Sequence, residues 1–458
     1  MTATFREVLS SYPLRMFSIT TFVICAIVLV ADGMDAQFLG IVAPLVIEEF
    51  GVDGGTFGFA MSAALVGFGL GSWSGGWLGD TIGRRWSLAI AATIFSLGTI
   101  AASTSGDVTQ MAFWRLVSGL GFGSAYANGI ALLGEWLPDK WRSVGITTIS
   151  VGTPAGGMVV SAMAPTLLDS YSWRGSFVFL GILTFLCVIM IVAFLRDSPT
   201  WLLAKGKVDE ARKALQKITT DAVELVPERH DTDVAGGESI GVLHRTNLRV
   251  NIGVGVAFTS ATMVAYGVLL WTTTLLTGKG WDLDDAAYAV AFAGLTSIFG
   301  SIAAGLIIQH FGSKLTMMTF SGSLFVTLIA LTIALESSSG ASDGEGNMII
   351  VGLIGLAAAL FSASVACMYA IMTHAYPPSC RSAGIGFGIF MGRFGPILSS
   401  GFGGKLLDIG DGSSVPFFAV LCVGSLLISA AAFVVDRPIP PASKKDEVPA
   451  DAPPPFAD

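Results

Sequence analysis

Residues 75–88 read GGWLGDTIGRRWSL, and residues 303–317 read AAGLIIQHFGSKLTM. Gly76, Gly83 and Arg85 of the first stretch return as Gly305, Gly312 and Lys314 of the second, at a constant offset of 229. A second pair repeats in the same way. Residues 135–146, EWLPDKWRSVGI, match residues 374–385, HAYPPSCRSAGI. Pro138, Arg142, Ser143, Gly145 and Ile146 return there as Pro377, Arg381, Ser382, Gly384 and Ile385, at an offset of 239. One structural unit therefore occurs twice in the chain, the arrangement from which many secondary transporters build alternating access.

The sequence around these repeats is too apolar for a water-soluble fold. Of 458 residues, 53% are apolar, only 13% are charged and 56 are glycine, and the mean hydropathy is +0.72. A soluble core cannot hide that share of apolar side chains. A soluble enzyme, a disordered chain and a nucleic-acid binder are excluded. Twelve stretches reach the roughly 20 apolar residues that a membrane-spanning helix needs. Their approximate limits are 16–43, 56–79, 86–104, 108–134, 143–168, 174–195, 249–275, 286–309, 314–335, 348–373, 381–407 and 415–435. No period-2 alternation supports a β-barrel. The expected fold is an all-α membrane protein of twelve helices in two pseudo-symmetric six-helix halves.

The halves are expected at residues 1–195 and 249–437. Between them, 196–248 forms a central loop containing KVDEARKALQKI, whose Val208, Ala211, Leu215 and Ile218 follow helical spacing. A flexible linker around His230, Gly236 and Gly237 follows it. The proline-rich tail, 438–458, is expected to be disordered. The first apolar run lacks a small-residue cleavage site and reads as a span, not a removed signal. Of the 25 Lys and Arg residues, 20 fall on the N-terminus, the 2–3, 4–5, 6–7, 8–9 and 10–11 loops and the C-terminal segment; only Arg174, Lys279 and Lys405 fall on the other side. This bias predicts both termini in the cytoplasm and a multi-pass protein of the cytoplasmic (inner) membrane. The five cysteines, Cys25, Cys187, Cys367, Cys380 and Cys422, are scattered through apolar stretches and read as small hydrophobes, with no disulfide framework or metal site.

GDTIGRRWSL (79–88) is the signature loop of the major facilitator superfamily, which the chain resembles over nearly its whole length. DSPTWLLAKGKVDEA (197–211) resembles the segment after that superfamily's sixth span. DGMDAQFLGIVAPLV (32–46), with RLVSGLGFGSAYANGIALLGEWLPDKWR (115–142) and GRFGPILSSGFGGKLL (392–407), resembles the aromatic acid:proton symporter family. The resemblance implies small aromatic carboxylates and protons as partners, and the proton gradient as energy source in place of a cofactor. VGVAFTSATMVAYGVLLW (254–271) lacks the QQ-containing motif of sugar porters, and GTPAGG (152–157) only partly matches the drug antiporters. No nucleotide motif GxxxxGK[ST] and no HExxH occurs, and the four histidines are dispersed, so neither ATP-driven transport nor an intramembrane enzyme has support.

Four charges lie well inside spans: Asp32, Asp35, Arg115 and Arg393. Each costs about 2.5–3.5 kcal/mol at a helix centre unless it pairs or meets water. Asp32 and Asp35 stand i, i+3 on one helix face. Two carboxylates so close compete for one negative charge, which suits a proton carrier. The bland alternative is that they only pair with Arg115. Arg393 lies near mid-bilayer and can grip a carboxylate with its planar fork, the role the resemblance suggests. Its alternative is a structural partner for a carbonyl. Arg115 divides between partner of the acids and substrate ligand. Asn128, Tyr126, Tyr266, Trp271 and Tyr369 are further substrate candidates, with packing or interfacial anchoring as the alternative for each. Asp80, Gly83, Arg84, Arg85, Glu135, Arg142 and Arg381 form the expected cytoplasmic gate. Gln309 and Ser313 replace Asp80 and Arg84 in the second copy, so its gate is expected to be weaker. His374 stands where Glu135 does. The expected activity is proton-coupled import of an aromatic carboxylic acid by a monomer, without enzymatic chemistry, nucleotide or nucleic acid. A sugar or aliphatic-acid symporter of the same fold, and a non-transporting sensor, are the alternatives.

Overall fold

The computed structural model describes residues 2–138, 140–141, 145, 148–149, 151, 152–216, 218–219, 224–226, 241–338, 344–376 and 380–441. Long helices dominate. They are α1 (Met16–Phe50), α2 (Gly54–Ile82), α3 (Arg84–Ala102), α4 (Val108–Trp136), α5 (Gly152–Phe194), α6 (Leu248–Gly278), α7 (Leu283–Phe311), α8 (Ser313–Ser337), α9 (Gly344–Ala375), α10 (Arg381–Gly392), α11 (Phe394–Gly410) and α12 (Val415–Val434). Among the described residues, ten helices are long and apolar enough to cross a membrane.

Two features reconcile this count with the twelve apolar stretches. α5, Gly152–Phe194, takes in most of both the 143–168 and 174–195 stretches. It is interrupted at Ser172, whose φ of 57° and ψ of 175° lie outside any helical region. Next to that corner the Arg174 guanidinium donates to the carbonyls of Ser103 and Ser105 at 2.8 and 2.7 Å and stacks over Trp173. The 381–407 stretch is broken at Arg393 into α10 and α11, of 12 and 17 residues, each shorter than a span.

The described chain falls into two compact units. The first comprises residues 1–36, 63–157 and 166–236; the second comprises 37–62, 158–165 and 237–458. In the first unit, Trp136 is fully buried among Ile24, Cys25, Leu88, Leu132 and Leu195. Phe5 and Phe17 meet its ring edge-on, and its indole N–H donates to the Arg196 carbonyl. The amphipathic segment forms the helix Val208–Leu215 and packs into the same core through Ala211, Ala214 and Leu215, with Ile218 just beyond it. Val208, expected on that face, is exposed; Ala214 takes the inward position. Thr2–Thr4 and Glu224–Val226 add a short parallel strand pair to an otherwise helical fold. The expected linker at His230, Gly236 and Gly237, and the tail beyond residue 441, lie outside the described residues.

In the second unit, Val250, Val254 and Ala257 of α6, Met368 and Met372 of α9 and Ile428 of α12 form the core. Two carboxylates meet the first turn of α2. Asp53 accepts from the Thr56 amide, and Asp408 of α11 accepts from the Gly54 and Gly55 amides at 3.2 and 2.8 Å. Both complement the positive end of the helix. Cys25, Cys187, Cys367 and Cys380 are buried free thiols, and Cys422 is half-buried.

Candidate functional site

The four charges expected inside spans divide between the units. In the first unit, α1 carries Asp32 and Asp35, both buried. Asp35 is held by α4 and α3. One Nη of Arg115 donates to both carboxylate oxygens at 2.9 and 2.7 Å, and the Thr99 hydroxyl donates at 3.0 Å. The pair is almost wholly withdrawn from solvent, with Asp35 4% and Arg115 1% exposed. Removing one partner from such a pair strands the other charge in low dielectric, a cost of about 3–5 kcal/mol. The Arg115 guanidinium also lies over the Phe177 ring. Arg115 is therefore a partner of Asp35, one of the two roles open to it.

Asp32 turns to a different neighbour. The Thr153 hydroxyl of α5 lies 3.5 Å from its carboxylate, at the outer limit of a hydrogen bond. Gly33 makes this approach possible: a Cβ there would fall 1.9 Å from the Thr153 carbonyl oxygen. The i, i+3 spacing thus puts two carboxylates on one helix face, with α5 against Asp32 and α3 and α4 against Asp35.

Beside Asp32, Ala31 joins a cluster of Phe68, Phe95 and Phe122. Tyr126, half-buried, meets Phe68 and Phe122 edge-on at 5.5 and 5.9 Å. Composition gave no reason to single out any phenylalanine; the structure picks these. Asn128 is fully buried and donates to the Gly75 and Ser124 carbonyls, tying α4 to α2.

In the second unit, Arg393 occupies the break between α10 and α11. Pro396 supplies no amide to the Gly392 carbonyl, which breaks the ladder here. Hydroxyls of α6 come in instead, Thr262 to the Gly392 carbonyl and Thr259 to the Met391 carbonyl, both at 2.7 Å. Arg393 is half-buried. Tyr369 of α9 packs edge-on against Phe258 of α6, and Tyr266 is half-buried on α6. Trp271 is fully buried, its indole N–H bonded to the Ser399 carbonyl and its ring lying where Gly403 and Gly404 lack side chains. Its surroundings are those of a packing residue.

The residues expected at the gate cluster in the first unit. Arg84 donates to Asp80 at 2.6 Å and to the Gly76 carbonyl, and its Nε lies 3.6 Å from Glu135. The Trp201 indole donates to the Asp80 carbonyl. Arg85 donates its side chain to the Val192 carbonyl and stacks over Trp86. Sequence reading missed Asp197, which accepts from the Arg85 amide at 2.8 Å and so caps α3. Gly83 has φ of 101°, and a Cβ there would sit 2.6 Å from an Asp197 oxygen. Burial pushes the Asp197 carboxyl above the usual carboxylate range, against the opposing pull of the Arg85 amide and guanidinium. A partial signal was present in the sequence: an acid one residue beyond the last apolar residues, after Arg196, followed by the Ser198-Pro199 helix start. Arg142 and the side chain of Arg381 lie outside the described residues.

The sequence profile described as the Major Facilitator Superfamily matches residues 25–359. The 4-hydroxybenzoate transporter PcaK of Pseudomonas aeruginosa is 25% identical over 408 residues, covering 88% of this chain and 89% of that one. A gallate transporter of Pseudomonas putida is 24% identical over 424 residues, 90% of each chain. Among solved structures, the xylose transporter XylE from E. coli in a partially occluded inward open conformation matches with a TM-score of 0.70 at 15% identity, covering 92% of this chain and 98% of that one. That likeness is one of fold. The profile match spans most of the chain, and it falls on a multi-pass, two-copy helical membrane protein; the chain belongs to the Major Facilitator Superfamily of transporters.

Proposed function

We propose that the protein is a proton-coupled symporter that imports an aromatic carboxylate across the cytoplasmic membrane by alternating access, with both termini in the cytoplasm. The observation that carries this reading is the acid pair of α1. Asp35 is bound to Arg115 and Thr99, and the Thr153 hydroxyl lies 3.5 Å from Asp32. Two carboxylates on one face of a membrane-spanning helix are groups suited to relay a proton through the span. Asp32 and Asp35 carry the proton coupling in this reading, and the Asp35–Arg115 pair also keeps α1 in place. Within the first unit the Phe68, Phe122 and Tyr126 rings offer faces and edges to an aromatic group; within the second, Arg393 offers a planar fork to a carboxylate. The PcaK and gallate relatives bear the names of aromatic-acid transporters, which supports the same substrate class. The proton gradient supplies the energy, and no cofactor takes part. The cluster at Asp80, Arg84, Arg85, Glu135 and Asp197 acts as the cytoplasmic gate.

The test is uptake of labelled benzoate and 4-hydroxybenzoate into proteoliposomes with and without an imposed pH gradient. Uptake should be concentrative only with the gradient and should need no ATP. Asp32→Asn should abolish concentrative uptake while leaving the protein folded; Asp35→Asn should lower stability as well. Normal gradient-driven accumulation by Asp32→Asn overturns the proton role, and ATP-dependent uptake after the gradient is collapsed overturns symport.

A further inference from the structure

The break at Arg393 is built, not merely tolerated. In a regular helix the amide of residue 396 bonds to the carbonyl of residue 392. Proline cannot do this and its ring crowds that carbonyl, so the Gly392 oxygen faces burial without its helical donor. The Thr262 hydroxyl fills the vacancy. Three acceptors lie within its reach: Phe258 and Thr259 carbonyls of its own helix at 2.8 and 3.1 Å, and the Gly392 carbonyl at 2.7 Å. A hydroxyl has one proton to give. Of the three, the Gly392 oxygen is the nearest and is the one whose helical donor is missing. One turn earlier on α6, Thr259 donates to the Met391 carbonyl at 2.7 Å. Gly395 admits both: a Cβ there would fall 2.2 Å from the Thr259 carbonyl oxygen and 2.3 Å from the Thr262 hydroxyl. The backbone of the two residues just before Arg393 is thus held from outside its own helix. The Arg393 amide closes a tight turn to the Phe390 carbonyl, and the Ile397 amide reaches the Arg393 carbonyl only at 3.5 Å.

We propose that Thr262, assisted by Thr259, is the positioning residue for Arg393, its hydroxyl standing in for the amide that Pro396 lacks and thereby setting the angle at which the guanidinium meets a substrate carboxylate. The proposal rests on Arg393 as the carboxylate ligand. Thr262 touches no substrate; it acts through the backbone of α10 and α11. A planar fork depends on orientation, so a small change at the break lowers recognition of a carboxylate far more than recognition of its uncharged analogue.

The experiment is equilibrium binding of benzoate and benzamide to the purified full chain in lipid nanodiscs, for the wild type and for Thr262→Val, Thr262→Ser, Pro396→Ala and Thr262→Val/Pro396→Ala. Hydrogen exchange over residues 386–400 is followed in parallel. Thr262→Val should weaken benzoate binding about tenfold, the scale of one lost hydrogen bond, and change benzamide less than twofold. Thr262→Ser, which keeps the hydroxyl, should bind benzoate as the wild type does. In the Pro396→Ala background an amide serves the Gly392 carbonyl again, so adding Thr262→Val should change benzoate binding less than twofold. Faster exchange in Thr262→Val should be confined to residues 386–400. Equal loss in the Ser and Val variants, equal loss of benzoate and benzamide, an undiminished effect of Thr262→Val in the Pro396→Ala background, or faster exchange spread through α6 and α9 each overturns the proposal. Arg393→Gln separates the two layers. Unchanged benzoate binding in that variant overturns the carboxylate role and the positioning role with it. Lost binding there, with normal binding in Thr262→Val, overturns the positioning role alone.

Discussion

The two copies of the repeated loop meet one backbone requirement with two different chemistries. Gly83 and Gly312 correspond across the repeat, and both have positive φ, 101° and 75°. Each stands at the start of a helix, α3 or α8, and against each lies a segment from just beyond a later apolar span. At Gly83 that segment offers a side chain, the Asp197 carboxylate, to the Arg85 amide. At Gly312 it offers backbone. The Ser313 amide donates to the Ile439 carbonyl at 2.9 Å, and the Ile439 amide donates to the Ser313 hydroxyl at 2.8 Å. The first copy is an ionic junction that mutation or protonation can alter. The second is a neutral exchange that changes little unless the chain path changes. Duplication preserved the turn, and the clamp diverged.

The largest effect expected from this comparison comes from adding a methyl group at either glycine. Gly83→Ala and Gly312→Ala should each cost about 2–4 kcal/mol, combining a forbidden left-handed φ with overlap. The Cβ would lie 2.6 Å from the Asp197 oxygen in one copy and 2.7 Å from the Ile439 carbonyl oxygen in the other. The copies part company under rescue. Asp197→Ala should restore part of the loss in Gly83→Ala, because a side chain was the obstacle. Ile439→Ala should restore none in Gly312→Ala, because backbone is the obstacle. Thermal unfolding of the four proteins in detergent reads this directly, and equal rescue in both copies would break the comparison.

Next in size is loss of the clamps alone. Asp197→Ala removes a charged acceptor and leaves the Arg85 amide open, at about 1.5–3 kcal/mol; Ser313→Ala removes one neutral hydroxyl acceptor, at about 0.5–1.5 kcal/mol. Denaturant titration should rank them in that order. A smaller effect is expected at Asp80. Its side chain is largely exposed in its pair with Arg84, so Asp80→Ala should shift stability by about 0.2–1 kcal/mol at most. If the first copy is the gate, that variant still slows uptake, whereas Gln309→Ala in the other copy leaves the rate unchanged.

The smallest and sharpest difference is in pH dependence. The Asp197 carboxyl is raised in the folded protein by burial. Between the ordinary aspartate value, about 3.9, and the raised value, the folded state binds more protons than the unfolded chain. The contribution of this group to stability is therefore complete below the ordinary value and is lost as pH rises through the raised one. Asp197→Asn cannot titrate. The stability of the wild type relative to that variant should fall with rising pH across the window, while the difference between wild type and Ser313→Ala stays flat. Melting curves from about pH 4 upward check it.

How far the sequence discloses this follows from where each signal lives. The offset of 229 finds both glycines, because a backbone need is written at the position that has it. The clamps are not written there. Asp197 lies 112 residues from the Arg85 amide it serves, and nothing local to either names the other. Hydropathy finds every apolar stretch, including the boundary at Ser172 that helical hydrogen bonding runs across. It is blind to the interruption at Arg393, although Pro396 signals one, because a broken span and a continuous one have the same composition. The buried acids were legible as charges in the wrong solvent; that Asp35 takes Arg115 while Asp32 takes Thr153 depends on how α3, α4 and α5 pack around α1. Thr259 and Thr262 gave no signal, since a threonine bonding back to its own helix reads the same as one reaching across to another.

The Asp408 carboxylate at the start of α2 has a consequence in time. It lies 354 residues downstream of the Gly54 amide it accepts from. At about 5–20 residues per second of synthesis, α2 exists for some tens of seconds before that acid is made. During this interval Asp53, the immediate neighbour, is already there to serve the first turn. The helix starts with its local Asp53 cap, which it keeps, and receives its second acid once α11 is in place. A chain cut short at residue 400 would carry a complete α2 whose Gly54 and Gly55 amides still wait, so the occupancy of those two amides records whether biogenesis has been completed.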